Sequence, residues 1–328
     1  MTSHTANQRA VLTLAAGPIV YWNMAINLAR SIRLWHAPDD LPVYIATDHD
    51  GPLPADLTGV SVLKLKPGEL GKGFQTKLHL DRLAPAPRTL FIDSDCLVYA
   101  SLDEVFKKFS GQAVGVARES IASQGERFGD IASYCGILGV NELPLFTGGI
   151  YYIETPAAAP VFEEARRLLP HYDEHGRIRL RGLPNEEVLI SAAMAKHNLW
   201  GIPDDGETIG DFQTSPGLHT LDLFRGRRQL CNPPPGKGPH CTFSPVRSIQ
   251  PAIVHFLAYH THLPHYRSEA TALSWKARGI PAPLASALSR IFILAPGLLR
   301  IGFKKVFRPL YRRLFGLRTI PPTDRTCA

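Results

Sequence analysis

The sequence predicts an α/β protein: a single, mostly parallel sheet flanked by helices, with a basic amphipathic helical tail at its C-terminal end. Three observations carry that expectation. The chain opens with alternating strand and helix patterns, which favours parallel pairing. A short apolar run, Thr89-Leu-Phe-Ile92, has the look of a strand buried on both faces and ends in Asp93-Ser-Asp95. The charge is unevenly placed: the net +7 conceals a tail, residues 271–328, with eleven Lys/Arg against the single acid Asp324, which leaves −3 for residues 1–270. The expected division is therefore 1–270 for the α/β domain and 271–328 for the tail, and a basic nucleic-acid-binding core is disfavoured.

In chain order, residues 1–9 read as a polar, frayed end. Ala10–Ala15 is a first strand, Gly17-Pro18 a turn and Tyr21–Trp35 a helix. Leu41–Thr47 and Val60–Lys64 are further strands, separated by the turn Asp48-His-Asp-Gly51. Val11–Ala29 is uncharged, but Gly17-Pro18, Asn23 and Asn27 break it, so no signal peptide is expected. Thr76–Leu83 reads as a helix, with Lys77 one turn in. Lys72 between two glycines does not make a Walker loop. The central strand Thr89–Ile92 follows.

Asp93 and Asp95 are one residue apart at the C-terminal end of that strand, where open α/β sheets place ligands. In an extended chain both point to one side and can share a hard divalent cation. An Asp-x-Asp that forms a turn and caps a helix is the competing structural explanation.

Leu102–Phe109 is a short helix and Ala113–Ala117 a strand. Residues 119–142 lack a sustained period and read as an irregular excursion over the binding edge. Thr147-Gly-Gly149 precedes the β-prone Ile150–Ile153, and glycines there let a ligand approach the backbone. Ala157–Leu169 is a helix stopped by Pro170. Tyr172–Leu183 is loop-like. Pro184-Asn-Glu-Glu187 starts another helix, where the acids suit the macrodipole without any catalytic role. Residues 203–250 are Pro- and Gly-rich, with a stiff loop at Asn232–Pro239. Ile253–Ala258 is a last strand, and four of the chain's thirteen His lie at positions 255–265. Five Cys without a CxxC spacing indicate neither a disulfide framework nor a zinc site, and fit a reducing compartment.

Pro281 and Pro283 open the tail. From Phe303, apolar residues recur at helical spacing through Phe315, and Lys304, Lys305, Arg308, Arg312 and Arg313 take the other face, with Pro309 expected to interrupt or kink the helix. Such a helix suits an anionic membrane surface. Docking of its stripe onto the domain is the alternative.

Several of these segments, taken together, resemble one family. Thr76-Lys-Leu-His79, Leu90-Phe-Ile-Asp-Ser-Asp95, Phe146-Thr-Gly-Gly-Ile150, Asn185-Glu-Glu-Val-Leu189 and Val254-His-Phe-Leu257 stand in the order and approximate spacing of the motifs of glycosyltransferase family 8, the glycogenin-like branch. The resemblance spans residues 10–267. It implies a GT-A fold, a nucleotide-sugar donor (UDP-linked most often), Mn²⁺ with Mg²⁺ as a substitute, and transfer with retention to a glycan or lipid-linked acceptor. Carried over by position, Asp93, Asp95 and His255 would hold the metal. Lys77, Leu14, Ser94, Thr147 and Gly148 would face the donor, and Glu186 with Asn185 would lie beside the reacting carbon. The sequence departs from the family where its Gly, Lys and Trp follow the Val-His-Phe-Leu motif: Ala258 or Tyr259, His262 or Leu263, and His265 stand there. The β-phosphate contact then falls to His260 or His262. The implied setting is peripheral, on the cytoplasmic face of the membrane. A sugar nucleotidyltransferase and a catalytically inactive membrane-associated scaffold of the same fold are the competing functions.

Overall fold

The structure, a computed structural model, describes residues 8–212, 219–231 and 248–316. The expected loop at Asn232–Pro239, the end of the tail beyond 316, Cys241 and Cys327 lie outside them.

The chain builds β1 (Arg9–Leu14), α1 (Ile19–Ile32), β2 (Val43–Thr47) and β3 (Val60–Lys64) in succession. A 3₁₀ segment, Gly73–His79, then leads into the single-turn α2 (Leu80–Leu83), β4 (Arg88–Ile92), β5 (Cys96–Val98) and α3 (Asp103–Phe109). Next come β6 (Val114–Gly115), β7 (Ala117–Ala122), α4 (Ile131–Leu138), β8 (Leu143–Phe146), β9 (Ile150–Glu154), α5 (Ala159–Leu168) and α6 (Glu186–Lys196). Six of these strands form the main sheet in the order β3-β2-β1-β4-β9-β6. The first four run parallel, while β9 is antiparallel to both β4 and β6.

Alternation along the strands divides the core. Leu12, Phe91, Tyr151 and Ile153 pack with α5 and α6 on one face. Val11, Leu90, Ile92, Ile150 and Tyr152 pack with α1 and α3 on the other. Both faces of β1, β4 and β9 are therefore buried, which explains their nearly continuous apolar sequences.

Small sheets complete the fold. After the short β10 (Ile202–Pro203) come β11 (Ile209–Asp211), β12 (Thr220–Asp222), β13 (Arg227–Cys231), β14 (Ser248–Ile249) and β15 (Ile253–His255). β15 lies between β11 and β5, and β12-β13-β14 form an antiparallel sheet within the Pro- and Gly-rich stretch 203–250. The 119–142 stretch also holds more structure than its sequence suggests. β7 pairs with β8, and α4 is capped by Asp130, which accepts from the Ser133 N–H at 2.6 Å, and stopped by Gly139 in the left-handed region. The helix expected at Thr76–Leu83 is the tighter 3₁₀ form up to His79 and α-helical only over Leu80–Leu83.

The C-terminal helices are α7 (Pro264–Ala277), α8 (Ala282–Ser289) and α9 (Ala295–Phe315), the last two joined by a π-turn at Arg290–Leu294. α7 lies against α1, and α8 packs back along α7. Gly297 sits so close to Pro264 that a Cβ there would collide with the proline ring. Beyond that contact α9 stands clear, and none of its residues is buried. Pro309 lies inside α9 without ending it. From Ala282 to Phe315 the helix has 34 residues and is long and apolar enough, by length and composition, to cross a membrane.

Candidate functional site

The site is assembled by strand ends. β4 delivers Asp93 at its C-terminal end, and the Asp93 N–H donates to Gly149 O at 2.9 Å, tying the turn to the Thr147-Gly-Gly149 step before β9. The chain then enters β5, whose register against β15 sets Cys96 opposite His255. That register brings residues from distant parts of the sequence side by side. His255 Nε2 lies 3.4 Å from Asp95 Oδ1 and 3.9 Å from Asp93 Oδ2. On the other side of β15, β11 sets Asp211 opposite His255, and Asp211 Oδ1 is 2.8 Å from Nδ1.

Lys77 reaches in from the 3₁₀ segment. Its ammonium is 2.7 Å from Asp93 Oδ2 and 3.0 Å from Glu186 Oε1, and donates to Gly148 O at 2.9 Å. Glu186 is the first residue of α6, 2% exposed, with Asn185 as the N-cap accepting from the Glu187 N–H at 3.1 Å. Glu187 turns back to accept from the Gly148 N–H at 2.7 Å. Both glycines are required by space. A Cβ at Gly148 would lie 2.7 Å from the Tyr151 hydroxyl and 2.9 Å from Glu186, and one at Gly149 would lie 2.9 Å from His255 Nδ1.

Burial and mutual attraction set the charges. Burial pushes the Glu186 carboxyl up, and the Lys77 charge only partly offsets this, leaving it at about 7. For Lys77, burial favours the neutral amine, but Asp93 and Glu186 outweigh it and hold the ammonium above its ordinary range. Burial likewise opposes the His255 charge, and Asp95 and Asp211 override it upward.

The structure thus brings together Lys77, Asp93, Asp95, Gly148, Glu186 and His255. Ser94 is buried between the aspartates. Leu14 ends β1 beside β4 in the sheet, half-buried. Thr147 donates its hydroxyl to Glu119 at 2.8 Å. His260 is buried edge-on to the Phe212 ring at 5.8 Å between centroids, near enough to Asp211 and His255 to feel their charges, and burial holds it down at about 4. His262 is exposed and packs against Tyr259.

Sequence reasoning missed Asp211, Glu119 and Arg127, and read Glu187 only as a helix-start acid. Arg127 donates to Glu119 at 2.8 Å and to Phe146 O at 2.7 Å, bracing the Thr147 step. It also missed the bend after β15. Leu257 and Ala258 both adopt positive φ, at 53° and 46°, a rare conformation for residues with a Cβ. This bend turns the Ala258 N–H onto Asp95 Oδ2.

The donor set fits a divalent cation. Ligand atoms of Asp95, Cys96 and His255 lie within 4.8 Å of one another. Burial raises the Cys96 thiol well above its usual range, and its sulfur lies 4.0 Å from Gly149 O, which favours the thiol over a ligating thiolate. Asp95 and His255 remain, and Asp93, whose Oδ2 lies 3.9 Å from His255 Nε2, adds a second carboxylate. With Nδ1–H donating to Asp211, Nε2 faces both aspartates, and its lone pair would be freed there when a metal displaces the Nε2 proton. A mixed oxygen and nitrogen set suits Mn²⁺.

No protein-family model matches the chain, and no curated protein matches it in sequence. Solved structures do match. The fold is similar to that of the galactosyltransferase LgtC, solved in complex with donor and acceptor sugar analogues, at a TM-score of 0.50 and 14% identity over 83% of this chain and 97% of that one. An active-site mutant of LgtC gives 0.50 and 14% over 84% and 99%. The glycosyltransferase GlyE of Streptococcus pneumoniae TIGR4 aligns at 0.41 and 16% identity, over 60% of this chain but only 45% of its own length, so this chain spans under half of GlyE. At these identities the likeness to LgtC establishes the fold, which is the GT-A fold of glycosyltransferases.

Proposed function

We propose that the protein is a metal-dependent glycosyltransferase of the family 8 type. It takes a sugar from a nucleotide-diphosphate donor, UDP-linked by expectation, and passes it with retention to a glycan or lipid-linked acceptor. The observation that carries this reading is the convergence of Asp93, Asp95 and His255 from two separate strand ends, beside the Lys77–Glu186 pair, in a GT-A fold.

The chemistry follows from the parts. The bond between the anomeric carbon and the phosphate oxygen breaks, the nucleoside diphosphate leaves with the bonding electrons, and the acceptor oxygen bonds to that carbon as its hydroxyl proton passes to a leaving phosphate oxygen. Bound Mn²⁺, held by Asp93, Asp95 and His255, would supply positive charge to the departing diphosphate. Asp211 keeps His255 turned toward the aspartates. Lys77 adds a second cation at the same edge. Gly148 and Gly149 let the sugar approach the backbone. Glu186 faces the reacting carbon and stabilises its positive charge on one face of the sugar, which accounts for retention. Its Oε2 is buried with no hydrogen-bond partner among the described residues, so it is available for that contact. The exposed apolar and cationic α9 would hold the enzyme peripherally on an anionic membrane, on its cytoplasmic face.

Asp95→Asn tests the reading. The variant should fold normally and lose at least about 100-fold in Mn²⁺-dependent release of free UDP from UDP-sugars. Unchanged activity would remove the metal-site assignment, and pyrophosphate as the product would indicate nucleotidyl transfer instead.

A further inference from the structure

α1 and α7 enclose a groove of about 420 Å³ on the body of the protein. That volume falls in the range of small-molecule sites. Its polar lining is cationic and amide-bearing: Asn23, Asn27 and Arg30 come from α1, Arg267 and Trp275 from α7, and Arg278 from the residue that ends it. No lining residue is acidic. Asp56, just outside, is taken up by Arg30, with bonds of 2.8 and 2.9 Å to Nε and Nη2. Arg267 and Arg278 have no ion pair among the described residues. Both are exposed at the groove, while Ile26 and Tyr266 form a buried floor.

A surface that gathers cations without acids repels itself unless an anion joins it. Guanidinium forks match the oxygens of a phosphate, amide N–H groups add neutral donors, and the half-buried Trp275 adds a flat apolar wall. We propose that this groove is a second binding site, for a phosphate-bearing ligand, distinct from the strand-end site. Free diphosphates and phospholipid headgroups share that chemistry. The lipid source has a structural basis, because α7 carries the groove and also packs against α8, from which the exposed α9 continues.

The groove also touches the donor site's support. Thr261 lines it, and the Thr261 hydroxyl donates to Ala258 O at 2.6 Å, on the residue whose N–H holds Asp95. An occupant therefore bears on the bend that positions the metal carboxylate.

The test uses the full-length protein in EDTA, which removes divalent cations from the strand-end site. Inorganic pyrophosphate is one probe, and vesicles of phosphatidylcholine with phosphatidylglycerol are the other. The readout is Trp275 fluorescence, assigned by Trp275→Phe. The expected result is a saturable response whose affinity falls at least about tenfold in Arg267→Gln/Arg278→Gln. The control Lys304→Gln/Lys305→Gln should leave the pyrophosphate response unchanged. Circular dichroism confirms folding of both. A response to pyrophosphate assigns a soluble phosphate ligand. A response to phosphatidylglycerol vesicles alone, lost in the groove variant, assigns a lipid headgroup. Equal binding of both probes by the groove variant overturns the site, and so does a response that follows ionic strength rather than probe concentration.

Discussion

The strand-end cluster and the C-terminal helix treat charge in opposite ways. In the cluster, Lys77 and His255 face Asp93, Asp95, Glu186 and Asp211 at 2.7 to 3.9 Å, and most of these side chains are buried. Each cation has more than one acid, so the group carries excess negative charge directed at a small space. On α9, Arg300, Lys304, Lys305, Arg308, Arg312 and Arg313 have no acidic neighbour in sequence, and Leu299, Phe303, Val306, Leu314 and Phe315 are all more than 60% exposed. Under the proposed function the cluster would be completed by something small and positive, the helix by something large, apolar and negative. One fold thus presents two unfinished surfaces, and their signs differ.

Removing the helix should have the largest effect. Basic residues near an anionic bilayer contribute about 1 kcal/mol each, so deletion of residues 298–328 should cut partition onto phosphatidylglycerol vesicles by at least about 1,000-fold at low salt. Thermal unfolding of the remaining protein should be unaltered, because none of the described residues of that stretch is buried. Vesicle flotation reads the first and calorimetry the second. Undiminished flotation would show that the helix is not the membrane-facing surface. The affinity of the intact protein should also weaken as salt rises, since the attraction acts within a Debye length.

Lys77→Met probes the cluster itself. It leaves Asp93 and Glu186 facing each other without their shared cation, which should destabilise the fold by about 3–5 kcal/mol in urea denaturation. Adding Glu186→Gln should recover part of that loss, since one of the two stranded carboxylates is then gone. A double variant no more stable than the single one would mean that the pair is not coupled as the distances indicate.

Much of the cluster was legible because its residues end buried strands. Thr89–Ile92 and Ile150–Ile153 announce themselves by apolar runs, and a carboxylate directly after such a run has few places to go. Asp211 gave no such signal. Its role depends on which strand β15 takes as its second neighbour, a long-range pairing that composition does not encode. α4 went unread because Gly136 interrupts its short period, and β12, β13 and β14 because they are brief strands in Pro- and Gly-rich surroundings. The tail's helical pattern was read from Phe303, whereas α9 already begins at Ala295. Pro283 falls in the first turn of α8, where its missing N–H costs nothing, and Pro309 lies on a helix whose freed carbonyl can face solvent.

The smallest expected effect lies where the two regions join. Arg290, at the start of the π-turn, is 3.2 Å from Asp222 Oδ2 and donates to Leu221 O, while Glu269 on α7 accepts from the Leu223 N–H at 3.0 Å. Burial, with Asp222 adding to it, raises the Glu269 carboxyl from an ordinary 4.5 to about 7 against the opposing pull of Leu223 and Arg290. Below pH 4.5 this carboxyl is protonated in both folded and unfolded chains. As pH rises from there toward 7, the unfolded chain releases the proton and the folded one keeps it, so stability falls, and above 7 the loss is complete. Glu269→Gln removes that titration while keeping an oxygen for Leu223. The variant should match the parent protein near pH 4.5 and exceed it by about 2–3 kcal/mol at pH 8 in urea denaturation. A stability difference that does not change between those pH values would mean that Glu269 is ionised in the folded protein, with Arg290 serving it as well as Asp222. The junction would then resemble the cluster, where buried acids face cations, rather than the open helix.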